Sequence, residues 1–158
     1  MKKILLVISL QKQFRDKNGF YEKCRKFISK NGDKYFVIAT LFQNTPNSLF
    51  VKKLNYNDCI KSDFNDLQFR YDYLITQRGY TLPEHSMQSF IEMVKEEPTE
   101  IYIMGCDIDA CVLAVAYQLW DAGISFKIMK DYVFTTAEDL DIETLFKVME
   151  RNFGDCFV

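Results

Sequence analysis

The stretch Ile101-Tyr-Ile-Met-Gly-Cys-Asp-Ile-Asp-Ala-Cys-Val-Leu-Ala-Val-Ala-Tyr-Gln-Leu-Trp120 changes periodicity halfway along. Its first four residues form a mostly apolar run of the length of a buried strand, and Gly105 breaks that run. From Cys111 onward the apolar residues Val112, Val115, Ala116 and Leu119 fall at i, i+3, i+4 and i+7, the spacing of one helix face. A strand therefore feeds a short loop, and the loop feeds a helix that opens at Cys111. A thiol at that point sits near the unpaired N–H groups of the first turn and the positive end of the helix dipole, which favour a thiolate. That placement suits a nucleophile or a bound anion. A structural cysteine packed under the sheet fits the same pattern, so the choice rests on the rest of the chain.

Working outward, the same alternation recurs. Residues 3–9 are a nearly continuous apolar run, as expected of a central parallel strand covered on both faces. A helix follows from about Phe20, with Phe20, Cys24, Phe27 and Ile28 on one face, and Asn31-Gly32-Asp33 stops it. Residues 35–42 read as a second buried strand and residues 44–47 as a turn. A short helical piece is expected over Ser48 to Leu54, and residues 55–70 read as loop. A third strand, Tyr71 to Thr76, precedes Gln77-Arg78-Gly79. Pro83 suits the first turn of a helix with Met87, Phe90, Ile91 and Val94 on its apolar face, ended by Glu96-Glu97-Pro98. Gly123 closes the helix of Cys111. A fifth strand is expected over Ile124 to Met129, ending at Asp131. Asp141 fits as the cap of a last helix facing Leu145, Val148, Met149 and Phe153 inward, with Gly154 after it. A short sixth strand is expected in Asp155 to Val158. Strands alternating with helices imply an α/β fold: one doubly wound, Rossmann-like parallel sheet of five to six strands with helices on both faces, spanning 1–158 as a single domain.

Bulk properties narrow the function classes. A net charge of −2 gives no electrostatic footprint for nucleic acid or an anionic lipid surface. No stretch has the length of a membrane span, and the opening apolar run leads into Gln11-Lys-Gln-Phe-Arg-Asp16 without a small-residue cleavage site. Five cysteines, an odd number without a CxxC, read as reduced thiols of a cytoplasmic protein rather than a disulfide framework. The one histidine, His85, cannot build a His-based metal site alone. Neither GxGxxG after the first strand nor GxxxxGK[ST] is present, which argues against the usual dinucleotide and nucleoside-triphosphate sites.

In a doubly wound sheet, ligands bind beyond the carboxyl ends of the strands, so Ser9–Phe14, Thr40–Asn44, Gln77–Tyr80, Gly105–Cys111 and Lys130–Tyr132 carry the functional reading. There the chain resembles the isochorismatase-like cysteine hydrolases, a family that includes nicotinamidases. Gly105-Cys-Asp-Ile-Asp-Ala-Cys111-Val112 resembles their nucleophile loop, the most specific part of the match. Val7-Ile-Ser-Leu-Gln11-Lys-Gln-Phe14 resembles their first-strand signature, and Ile75-Thr-Gln77-Arg-Gly-Tyr80 their third. Residues 35–50 and Phe126 to Tyr132 resemble their second and fifth strands, in the same order.

The resemblance implies a catalytic trio of aspartate, lysine and cysteine. The aspartate takes the thiol proton, the lysine holds the aspartate ionised, and the cysteine attacks an amide or related carbon. Carried over, the cysteine is Cys111. A cis peptide would join Cys106 and Asp107, the N–H groups of Asp107 and Cys111 would hold the oxyanion, and Phe14, Asn44 and Tyr80 would line the pocket. The aspartate position, however, is Ser9 and the lysine position is Gln77. Losing one member of a nucleophile–base unit costs on the order of 10⁴ in rate in the Ser-His-Asp case. No charged neighbour offers an evident replacement: Arg78 should point to the opposite strand face, Asp131 reads as structural, and Lys12, Asp16 and His85 lie on loops or helix starts. The Asp-x-His metal pattern of the nicotinamidase branch is absent from Leu41-Phe-Gln-Asn44, so no metal or other cofactor is expected. Asp109 matches a family position and could cap the Cys111 helix.

Three readings follow. The chain is an impaired cysteine hydrolase that keeps a small-molecule pocket, or an active amidohydrolase with a rebuilt site for a small amide, imide or ester. Or it is an interaction protein, since the family often forms homo-oligomers and the chain is rich in Phe and Tyr. The expected partner is a small-molecule ligand or substrate, with no nucleic acid and no membrane.

Overall fold

The computed structural model describes residues 1–14 and 19–158. At its centre lies β1 (Lys2–Ile8), in which Ile4 to Ile8 are wholly shielded from solvent. Period-2 alternation sends Ile4, Leu6 and Ile8 into one core and Leu5 and Val7 into another. The sheet is all parallel, in the order β3-β2-β1-β4-β5, with β2 spanning Phe36–Phe42, β3 Tyr73–Gln77, β4 Thr99–Cys106 and β5 Lys127–Phe134. The helix α1 (Phe20–Asn31) buries Tyr21, Cys24 and Ile28 in the Leu5/Val7 core. On the opposite face, α3 (Glu84–Glu96), α4 (Cys111–Asp121) and α5 (Ile142–Phe153) bury Phe90, Val115 and Phe146 in the Ile4/Leu6/Ile8 core. The strand order reverses direction between β1 and β4, the place where doubly wound sheets open a crevice for ligands.

Several boundaries differ from the sequence expectation for local reasons. The third strand begins at Tyr73, because Asp72 closes the end of β2 first: its carboxylate accepts from the Val37 N–H (2.8 Å), and its own N–H donates to the Val37 carbonyl (2.8 Å). The fourth strand does not stop at Gly105 but continues to Cys106. The fifth starts at Lys127 rather than Ile124, because Ile124 belongs to the cap of α4, donating its N–H to the Leu119 carbonyl (2.9 Å). It then runs on through the polar Lys130 and Asp131 to Phe134, since an edge strand tolerates exposed charge. The sixth strand reduces to a single bridge between Phe157 and Ile128. In α5, Phe146 rather than Val148 faces the core, and Val148 is exposed. Residues 55–70 contain two 3-10 turns, Asn57–Ile60 and Phe64–Asp66, and bury Cys59 and Leu67. The expected short helix is α2 (Leu49–Leu54), and Asp141 caps α5 by accepting from the Thr144 N–H (3.0 Å).

β1 and β4 approach most tightly where Ile8 pairs with Gly105. Gly105 has φ +119°, and a Cβ there would lie 2.0 Å from the Ile8 carbonyl oxygen. Only glycine combines that dihedral with that contact. Gly105→Ala is therefore expected to destabilise the fold by about 2–5 kcal/mol, the sum of backbone strain and overpacking. Urea unfolding of the variant against wild type measures it.

Candidate active site

β1 ends by turning sharply. Ser9 adopts a left-handed φ of 47°, its N–H donates to Thr40 Oγ1 (3.0 Å), and its carbonyl accepts from the Gln11 N–H (2.9 Å) and the Cys106 thiol (3.2 Å). Gln11 then extends the sheet with its side chain. Its Oε1 accepts from the Phe42 N–H (2.6 Å), and its Nε2 donates to the Phe42 carbonyl (3.1 Å) and to Ser62 Oγ (3.0 Å). A single amide thus satisfies both backbone groups of the residue that ends β2.

β4 delivers the second half of the site. The peptide between Cys106 and Asp107 is cis. Beyond it the loop is fastened to the segment that leaves β5. The Ile108 N–H donates to the Phe134 carbonyl (2.9 Å). The Asp107 carboxylate accepts from the Thr136 N–H (2.8 Å) and hydroxyl (2.7 Å), and Asp109 accepts from the Thr135 hydroxyl. The Asp107 carbonyl accepts from the N–H groups of Ala110 and Val112 (both 3.0 Å), which sets the first turn of α4 and places Cys111 at its start. Asp109 does not cap α4. The residue at the cap is Ala110, which makes no side-chain capping bond, and Asp109 is drawn instead to Thr135.

A cavity of about 190 Å³ opens between these two strand ends. Seven residues singled out in the sequence meet on it: Ser9, Phe14, Tyr80, Cys106, Asp107, Asp109 and Cys111. Two do not line it. Asn44 is a strut, its N–H donating to the Cys59 carbonyl (3.0 Å) and its Nδ2 to the Arg78 carbonyl (3.1 Å), because the chain after β2 needs both ends held. Gln77 is fully buried at the end of β3, where its Nε2 donates to the Tyr80 carbonyl (2.7 Å) and so orients the loop that carries Tyr80. Its Oε1 has no hydrogen-bond partner among the described residues. Lys12, Arg78, His85 and Asp131 are all exposed, and none lines the cavity. Asp16 lies outside the described residues.

The electrostatics oppose a thiolate. Burial, then the negative charge of Asp107, pushes the Cys111 thiol up to about 12, with the neighbouring Ser9 hydroxyl pulling weakly the other way and Asp109 adding to the rise. Cys106, buried beneath it, is pushed up as well, by burial first and by Asp107 next. Ser9 Oγ lies beside the Cys111 thiol yet has no hydrogen-bond partner of normal geometry among the described residues. The half-charge of the α4 N-terminus is set against burial and the negative charges of Asp107 and Asp109. Among the described residues no group of three or more His, Cys, Asp and Glu gathers as a metal ligand set.

Sequence reasoning missed the cavity wall. Phe42 and Phe50 stack edge to face at 4.9 Å, Phe50 meets Tyr80 at 4.9 Å, and Tyr56 meets Phe14 at 5.9 Å. Leu54 completes the wall. Tyr56 lies in the stretch read as featureless loop. Burial and then Asp107 raise its hydroxyl pKa, which Thr136 partly offsets by hydrogen bonding. The signal was present as aromatic spacing across residues 42–56, but a wall built from four separate segments has no periodicity to read.

No protein-family model and no curated protein sequence matches the chain. Solved structures do. The chain superposes on an isochorismatase-like hydrolase from Alkaliphilus metalliredigens with a TM-score of 0.77 at 16% identity, covering 100% of this chain and 95% of that one. With N-carbamoylsarcosine amidase from Thermoplasma acidophilum the TM-score is 0.73 at 17% identity, over 99% and 95% of the two chains. With nicotinamidase from Bacillus subtilis it is 0.71 at 14% identity, over 98% and 97%. The architecture is thus that of the isochorismatase-like hydrolases.

Two measurements probe the site's framework. Gln11→Ala strands the N–H and carbonyl of Phe42 in a buried position and is expected to cost about 2–4 kcal/mol in urea unfolding. The thiols set a pH dependence. In the unfolded chain Cys111 ionises near ~8.5, whereas in the fold it stays protonated to about 12. Above ~8.5 the unfolded state releases a proton that the folded state keeps, so stability is complete below that pH and falls as pH rises toward 12. Cys111→Ala is expected to flatten that fall in unfolding experiments run across the alkaline range.

Proposed function

We propose that this chain is a dormant cysteine hydrolase: an isochorismatase-like scaffold that keeps its small-molecule pocket and its nucleophile position but no longer activates the nucleophile. One observation carries the reading. The two positions that the family resemblance assigns to the charged partners of the thiol hold buried neutral side chains, Ser9 and Gln77, while Cys111 itself is pushed up to about 12.

The chemistry follows from the protonation state. Nucleophilic attack needs the thiolate, and general-base activation needs a group able to hold the thiol proton. A serine hydroxyl orients a proton without keeping it. The carboxylates on the cavity, Asp107 and Asp109, already accept hydrogen bonds from Thr136 and Thr135 and act on Cys111 as negative charges that raise its pKa. The first-turn N–H groups of α4 would still favour an anion at Cys111, but they are outweighed. What remains is a shaped cavity with an aromatic wall and a polar floor, suited to binding without turnover.

Iodoacetamide labelling followed by mass spectrometry of each cysteine tests this. Near neutral pH, Cys111 of the folded protein is expected to react about 10³-fold more slowly than a free thiol, in proportion to its thiolate fraction. Ser9→Asp combined with Gln77→Lys is expected to lower the thiol pKa and raise that rate. Labelling of wild-type Cys111 at the free-thiol rate, or amide hydrolysis that disappears in Cys111→Ala, would overturn the reading.

A further inference from the structure

The cavity does not close over its own wall. Leu54 of α2 and Tyr80 of the loop after β3 both line it, yet they remain 55% and 46% exposed. Among the described residues on the cavity they alone are exposed, so its mouth lies between them. Single exposed apolar side chains are ordinary on a protein surface. These two instead carry the aromatic wall outward. Phe50 and Leu54 lie four residues apart on one face of α2, and the Phe50 ring meets that of Tyr80 at 4.9 Å. Both supports of this rim are fixed. Ser48 accepts from the Val51 N–H (3.4 Å) at one end of α2, and the Asn55 N–H donates to the Val51 carbonyl (3.1 Å) at the other. Across the mouth, Gln77 holds the Tyr80 carbonyl (2.7 Å). The Gln118 amide takes both backbone groups of Leu82, accepting from its N–H and donating to its carbonyl (both 2.9 Å). The floor has the opposite character. Ser9 lines the cavity, is 3% exposed, and its Oγ has no partner of normal geometry among the described residues. A buried hydroxyl without a partner is costly, and a ligand that supplies a hydrogen-bonding group there relieves the cost.

From these observations we infer that the pocket takes a single-chain amphiphile with a neutral head, a medium-chain fatty amide, whose head reaches Ser9 and whose tail emerges across Leu54 and Tyr80. The head follows from the floor. A serine hydroxyl both donates and accepts, and burial pushes the neighbouring Cys106 and Cys111 thiols up, away from ionisation. A neutral group that donates and accepts matches them. The chain follows from the volume. The cavity's 190 Å³ is the room of roughly six water-sized groups, so a longer ligand leaves past the mouth. There it meets apolar surface already held in place, and covering that surface removes it from water. A compact ring fills the cavity and leaves the rim bare. This inference rests on the proposed binding role of the same cavity.

Butanamide, hexanamide and octanamide share one head and differ only in chain length. Calorimetric titration of the full chain with each, and with benzamide as the compact ring, reads the preference directly. Affinity is expected to rise about two- to fourfold per added methylene, saturating at one molecule per chain, with octanamide tighter than benzamide. Leu54→Ser and Tyr80→Ser are each expected to lower the ratio of octanamide to butanamide affinity several-fold. Ser9→Ala is expected to weaken the whole series by a common factor, and urea midpoints confirm that the variants fold. Affinity that stays flat beyond butanamide, or benzamide binding as tightly as octanamide, overturns the inference and leaves the pocket standing. So does a chain-length ratio unchanged in both Leu54→Ser and Tyr80→Ser, or a series unaffected by Ser9→Ala. Absence of binding by all four compounds overturns the inference and the binding role together. The expected chain-length series accompanied by ammonia release that requires Cys111 supports the inference and overturns the dormancy.

Discussion

The contact on which the site depends is the one between Ile8 and Gly105. It joins the two strands that flank the reversal of strand order, and it is so close that a methyl group would lie within 2.0 Å of a carbonyl oxygen. Because β1 and β4 are locked there, the residues that follow each of them emerge side by side. Ser9 leaves one strand and Cys106 leaves the other, and the Cys106 thiol reaches the Ser9 carbonyl at 3.2 Å. The cis peptide then turns the chain toward the start of α4, and the threonines after β5 pin that loop by its carboxylates. Remove the close approach and neither the floor nor the mouth of the cavity has a defined position.

Much of this was legible in the chain. The switch from strand to helix periodicity within residues 101–120, the double-sided apolar run of residues 3–9 and the capping aspartate of α5 all carry local signals, and each produced an element of the expected kind. The spacing from Gly105 to Cys111 also located the thiol at a helix start. Other features depended on partners distant in sequence. Asp72 shortens β3 through Val37, 35 residues away. Asp109 looks like a cap until Thr135 is seen beside it. Asn44 has the composition of a pocket residue but spends its amide on a backbone carbonyl. Tyr56 and Phe50 join the cavity because a stretch without periodicity folds back over β2.

The thiol illustrates how several modest effects fix a chemical state. A helix start alone would lower the pKa of Cys111. Burial acts in the opposite sense and is the largest influence, and Asp107 adds to it. Asp107 cannot be dispensed with cheaply, because its two oxygens hold Thr136 and thereby the whole loop. The residue that organises the loop is thus also one that raises the pKa of the Cys111 thiol. Among the described residues no positive charge lines the cavity to reverse the sign, and the position that the family resemblance gives to lysine holds Gln77, which supports the Tyr80 loop instead.

Replacing a buried acid and base by neutral side chains need not weaken a fold, since a buried ion pair often returns less than its desolvation cost. Ser9 and Gln77 are consistent with that economy, but among the described residues each leaves one polar atom without a partner of normal geometry, Ser9 Oγ and Gln77 Oε1. The two differ in what can relieve them. Gln77 is sealed from solvent and does not line the cavity, so its cost belongs to the protein alone. Ser9 faces the cavity, and a bound molecule can satisfy it. Ser9 and Asp107 thus bring polar groups to a pocket whose wall is aromatic. Binding free energy at such a site comes from covering the aromatic wall and satisfying the polar atoms beside it, and neither requires the thiol to react.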